Sequence, residues 1–158
     1  MGNKINTFPA SKVAAALNEY YPNAAAIDLF DSDYDVPFDT VEEAQNFVLK
    51  YYNSFWRWML LNRLIGWQYN KLDCDKRAWL FRGYCISVFA KVKEASNNIP
   101  LYMLKYEING EYGRGHAING IYVGAGGILE LDPKPKREGG GLVILNAQER
   151  ISASLRLC

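Results

Sequence analysis

The stretch "EYGRGHAINGIYVGAGGILELDP", residues 111 to 133, holds the single histidine of the chain, His116. Two apolar, β-rich runs flank the glycine-rich "GAGG" at residues 124 to 127. That pattern reads as a hairpin. A turn beginning near residue 124 returns Asp132 to the neighbourhood of His116 on the adjacent strand. A carboxylate at that point can orient an imidazole and stabilise its charged form. His116 therefore reads as a base and Asp132 as its orienting acid. Glu130 shares a strand face with Asp132 and is the fallback partner.

The segments around the hairpin are also short, β-rich and bounded by Gly, Asn or Pro. "LYMLKYEI" (101–108), "GLVILNA" (141–147) and "RISASLRL" (150–157) read as further strands. Upstream the apolar period becomes helical. In "PASKVAAALNEYYPN" (9–23), Ser11 is a candidate N-cap and Val13, Leu17 and Tyr20 form one stripe. In "DTVEEAQNFVLKYYNSFWRWMLLNRLIGW" (39–67), Thr40 and Glu43 make a capping box before a long apolar stripe. A third helix starts near Asp73. Helices first and strands after predict an α+β fold, with N-terminal helices packed on a C-terminal antiparallel sheet. The expected organisation is one domain over 1–158, helical over about 10–96 and sheet over about 100–157.

A base needs a nucleophile. "GWQYNKLDCDKRAWL" (66–80) supplies Cys74 in the first turn of a helix capped by Asp73. Amide donors and the positive end of the helix dipole favour a thiolate there, and free amides can hold an oxyanion. Cys85 lies eleven residues further on, about 16 Å along a helix and too far for a disulfide. It reads as core, and Cys158 as incidental.

The bulk composition limits the alternatives. Of 158 residues, 49% are apolar and 14% aromatic, which is globular and not disordered. Lys and Arg number 18 against 17 Asp and Glu, so no charge excess calls for nucleic acid. "FWRWMLLNRLIGW" (55–67) is cut by Arg57 and Arg63, which excludes a membrane span. The opening residues lack an apolar stretch of signal-peptide length. The expected location is cytoplasmic, without a metal or other cofactor. The acidic run "DSDYDVPFDTVE" (31–42) has the carboxylate spacing of a calcium loop. Val36 stands where that loop needs glycine, so the run reads as a solvated loop leading to a helix cap.

The order "LDCDKRA" (72–78), "NIPLYML" (98–104), "GHAINGIYV" (115–123) and "ILELDP" (128–133) resembles the transglutaminase-like group of papain-like cysteine peptidases, its bacterial members in particular. The resemblance covers roughly residues 67 to 133. It implies a papain-like or transglutaminase-like core, with Cys74 as nucleophile, His116 as base and Asp132 as orienting acid. Gln68 lies six residues before Cys74, a spacing that resembles the oxyanion-hole glutamine of papain-like peptidases and makes it the candidate for that role. The tryptophan that often follows "HA" in transglutaminases is replaced by Ile118, which favours hydrolysis over crosslinking.

The implied function is a cysteine hydrolase cleaving a peptide or isopeptide amide bond, with a peptide or protein as substrate. The alternatives are acyl transfer and a non-enzymatic protein-binding or structural module on the same scaffold. Oligomeric state is not legible.

Overall fold

The computed structural model describes residues 4–24, 31–64, 73–124 and 127–156. Strand β1 (Asn6–Pro9) runs directly into helix α1 (Ala10–Tyr20). Pro9 serves both elements. Its φ of −65° suits helix entry, and it donates no amide that would need a partner. The next amide, on Ala10, donates to the Ser32 carbonyl at 2.9 Å. The helix therefore starts before Ser11, the cap expected from sequence. Val13 and Leu17 are its buried residues, one turn apart.

Strand β2 (Asp33–Val36) pairs antiparallel with β1, Asn6 opposite Val36 and Pro9 opposite Asp33. The middle of the acidic run, Asp33–Val36, is thus a strand, and the run then leads to the Thr40 cap of the next helix. Asp35, 1% exposed, turns into the fold. Its carboxylate accepts from Thr7 Oγ1 at 2.9 Å, Ser96 N at 2.8 Å, Asn97 N at 2.9 Å and Asn97 Nδ2 at 3.0 Å.

Thr40 and Glu43 form a reciprocal capping box at the start of α2 (Val41–Leu61). Asp73 caps α3 (Cys74–Phe89), accepting from Lys76 N at 3.2 Å. Ala78, Phe81, Cys85 and Phe89 recur at helical spacing along its buried stripe. Phe55 of α2 meets Phe81 edge-to-face at 5.2 Å. Both helices therefore join one aromatic core.

Five strands form the main sheet: β3 (Leu101–Glu107), β4 (Gly115–Tyr122), β5 (Ile128–Asp132), β6 (Gly141–Val143) and β7 (Ser154–Arg156). Their order is β6-β5-β4-β3-β7, with every pairing antiparallel. Asn119 on β4 is fully buried. It donates to the Ala78 carbonyl of α3 at 3.0 Å and to the Tyr102 carbonyl of β3 at 3.3 Å. One side chain thus registers α3 against the sheet.

Gly120 allows the closest approach within the sheet. A Cβ there would lie 2.3 Å from the Tyr102 ring. The hydroxyl of that ring lies 3.1 Å from the Tyr21 hydroxyl, which donates to Glu130 Oε1 at 2.8 Å. Glu130 also accepts from Leu145 N at 2.9 Å. The fallback partner of His116 is therefore committed to a buried tyrosine network.

The expected partition into helices first and strands after is corrected at both ends. The first half carries the separate β1–β2 sheet, because four-residue strands are too short to show an alternating period. The segment read as the strand "RISASLRL" begins with the last three residues of helix α4 (Ala147–Ser152), before β7. Asn146 and Glu149 form its capping box, a local signal that outweighs the apparent alternation. Among the described residues, no helix is long and apolar enough to cross a membrane.

Candidate functional site

Cys74, His116 and Asp132 lie at the start of α3, near the start of β4 and at the end of β5. Asn119 pairs with Leu131 across β4 and β5, and Tyr122 with Ile128. In that register His116 and Asp132 are diagonal neighbours on one face, so a long side chain can bridge them. His116 Nε2 lies 2.7 Å from Asp132 Oδ2.

Asp132 is 4% exposed and serves more than the histidine. Lys134 donates its backbone amide to Oδ1 at 3.1 Å and places Nζ 3.1 Å from Oδ2. Burial alone would raise its pKa, but His116 and Lys134 together hold the carboxyl below the usual carboxylate range. The Tyr106 ring of β3 packs edge-on to the imidazole, centroids 5.8 Å apart.

The thiol of Cys74 is half-buried against Ala78, Met103 and Ala117. The backbone amide of Ala117, next to His116, donates to it. This contact places Cys74 beside the first residues of β4. The electrostatics differ from the sequence expectation. Burial, followed by a hydrogen bond to Asp75 Oδ1 at 3.4 Å, raises the thiol above its ordinary value. Helix-start amides do lower a thiol pKa, but here desolvation and an adjacent carboxylate outweigh them. Cys85 is fully buried in the core, and burial pushes its thiol far up. Gln68 lies outside the described residues.

Sequence reasoning missed Asp75, Lys105 and Lys134. Lys105 of β3 pairs with Asp75 thirty residues away, so no local pattern marks it. Lys134, two residues past Asp132 in a basic loop, does carry a signal in its spacing. Beside it opens a cleft of about 360 Å³, lined by Tyr52, Asn53, Trp56, Pro135, Lys136 and Arg137. The Tyr52 hydroxyl donates to the Lys134 carbonyl at 2.7 Å. Burial, with Asp132 nearby, pushes that phenol up to about 12. Tyr52 thus joins the cleft to the Lys134 segment that follows Asp132. Among the described residues, no group of three or more His, Cys, Asp or Glu is placed to hold a metal ion.

No family model matches the sequence, and no curated protein matches it. Eight solved chains match its fold. One is a crystal structure of Polyporus squamosus lectin bound to the human-type influenza-binding epitope Neu5Aca2-6Galb1-4GlcNAc. It has 13% identity and a TM-score of 0.58, covering 94% of this chain and 49% of that one. Another is the "PSL1a-E64 complex", at 14% identity and a TM-score of 0.59, covering 86% of this chain and 49% of that one. The chain shares the fold of both. It spans about half the length of the solved chains it matches.

These comparisons correct the expected papain-like or transglutaminase-like core, and with it the reading as a cysteine hydrolase. The fold that aligns along 94% of the chain is that of a structure titled as a lectin. The physical reason is the size of the motifs. "DCD", "HA" and "LDP" specify a helix start and two strand ends, and such local signals do not encode the rest of a core.

Proposed function

We propose that this chain is a binding module for a carbohydrate, with its site in the cleft of Trp56, Asn53, Lys136 and Arg137. The observation that carries the reading is the fold shared along 94% of the chain with a lectin holding a sialylated trisaccharide.

The chemistry of the cleft supports it. A sugar ring presents an apolar C–H face that packs on an indole such as Trp56. Its hydroxyls suit Asn53, which both donates and accepts. Lys136 and Arg137 suit a carboxylated sugar, since guanidinium–carboxylate bonds are charge-assisted and can be bidentate. The cleft volume lies within the range of about 300–1,000 Å³ usual for small-ligand sites.

Isothermal titration with Neu5Aca2-6Galb1-4GlcNAc, and with Galb1-4GlcNAc as the neutral control, tests this reading. Binding should favour the acidic trisaccharide, and Trp56→Ala and Arg137→Ala should each weaken it at least tenfold. Absence of binding to both sugars by the folded protein would sink the carbohydrate reading. Binding unchanged in both variants would remove the site from this cleft.

A further inference from the structure

The carboxylate of Asp75 is held from two sides. Cys74 Sγ donates to Oδ1 at 3.4 Å, and Lys105 Nζ from β3 pairs with Oδ2. Lys105 and Asp75 are each about two-fifths exposed, so substitution at either leaves the core untouched. A thiol can donate to this carboxylate. A thiolate cannot, and would face it as a like charge at close range.

The other ionisable groups around the thiol belong to every neighbouring element. Asp73 precedes Cys74 at the cap of α3, Tyr106 stands on β3 and His116 on β4. Asp132 ends β5, and Lys134 follows it. Among the described residues, Asp75 alone is seen to accept a hydrogen bond from the thiol.

We propose that Asp75, pinned by Lys105, is a latch that keeps Cys74 a neutral thiol, and that loss of the Asp75 charge releases its reactivity toward electrophiles. The latch acts on the thiol whatever ligand the cleft takes, so it does not depend on the carbohydrate reading. Burial is the first cause of the raised thiol pKa, and the hydrogen bond to Asp75 adds to it. Lys105 has a double part. It fixes the carboxylate in place, and its own positive charge offsets part of the repulsion the thiolate would feel.

The test is the pH dependence of alkylation by iodoacetamide, followed at Cys74 by peptide mapping. In this reaction the thiolate sulfur forms a bond to carbon, iodide leaves, and the thiol proton passes to solvent. Asp75→Asn should lower the midpoint by about one pH unit, raising the rate about tenfold below it. Lys105→Met keeps the carboxylate and removes its counter-charge, so the midpoint should rise and the reaction slow. The opposite signs are the signature. A loosened helix start would speed both variants alike, and that result would overturn the proposal. So would an Asp75→Asn rate equal to or below that of the unaltered protein. Thermal melts of both variants accompany the rates, and Asp75→Glu, which restores the charge, should return the midpoint toward its starting value.

Discussion

His116 Nε2 and Asp132 Oδ2 meet at 2.7 Å across neighbouring strands, and the Lys134 amide and ammonium close on the same carboxylate. With Nε2 committed to Asp132, Nδ1 is the imidazole nitrogen left to face another group. The three contacts also give the pair a stability role. The Asp132 carboxyl is held below its ordinary value, so its contribution is present above the unfolded value near pH 4 and is lost as pH falls through the folded one. Asp132→Asn should destabilise by on the order of 1–3 kcal/mol at pH 7 and by clearly less at pH 3. Urea unfolding at the two pH values measures the difference. An equal loss at both would show that charge is not what the site uses.

The two described cysteines should separate cleanly under labelling. Cys74 is half-buried at the start of α3, whereas Cys85 is 1% exposed. Brief native-state alkylation at pH 8, read by mass spectrometry, should modify Cys74 and leave Cys85 untouched. Modification of Cys85 at a comparable rate would mean that the α3 core opens far more often than its packing implies.

Asp35 ties β2 to the segment before β3 through three accepted hydrogen bonds, and to Thr7 of β1 through a fourth. Asp35→Ala leaves two backbone amides and an amide side chain without their acceptor, a loss of about 2–4 kcal/mol. Hydrogen bonding holds this carboxyl low despite its burial. Its contribution therefore also fades as the solution is acidified below about pH 4. Chemical denaturation of Asp35→Ala across pH 3 to 7 should show the penalty shrinking towards the acid end. A constant penalty would contradict the assignment.

Gly120→Ala should cost about 1–3 kcal/mol through overpacking, since the added carbon would sit 2.3 Å from the Tyr102 ring. Gly115→Ala provides the contrast on the same strand, as nothing lies within 4 Å of its Cβ position. Melting temperatures of the two variants settle it, and a Gly120→Ala protein as stable as Gly115→Ala would show the ring free to move.

Local signals are legible in this sequence and distant ones are not. The caps at Thr40 and Asp73 follow from residues within one turn of them, and so does the hairpin around "GAGG". Asn146 and Glu149 carry the same kind of cap, but a six-residue helix offers no period to support it. Strands β1 and β2 escape because "NTFP" and "DYDV" owe their conformation to each other, across more than twenty intervening residues. The site divides in the same way. His116 and Asp132 meet within one hairpin, whereas the Lys105–Asp75 contact joins separate elements. The resemblance to cysteine peptidases failed at the level above. Motifs of two or three residues repeat wherever a helix start faces a strand, and the core between them was never part of the comparison.

The Tyr21–Glu130 hydrogen bond spans 109 positions of the chain. Helix α1 leaves the ribosome long before the carboxylate that receives its neighbouring tyrosine has been synthesised. Until β5 is in place, Tyr21 has no Glu130 to bond. That one bond closes a loop of nearly the whole chain and so carries a high closure entropy. A C-terminal truncation before residue 130 would remove that acceptor and leave the Tyr21 hydroxyl facing the Tyr102 hydroxyl without a carboxylate to receive its proton.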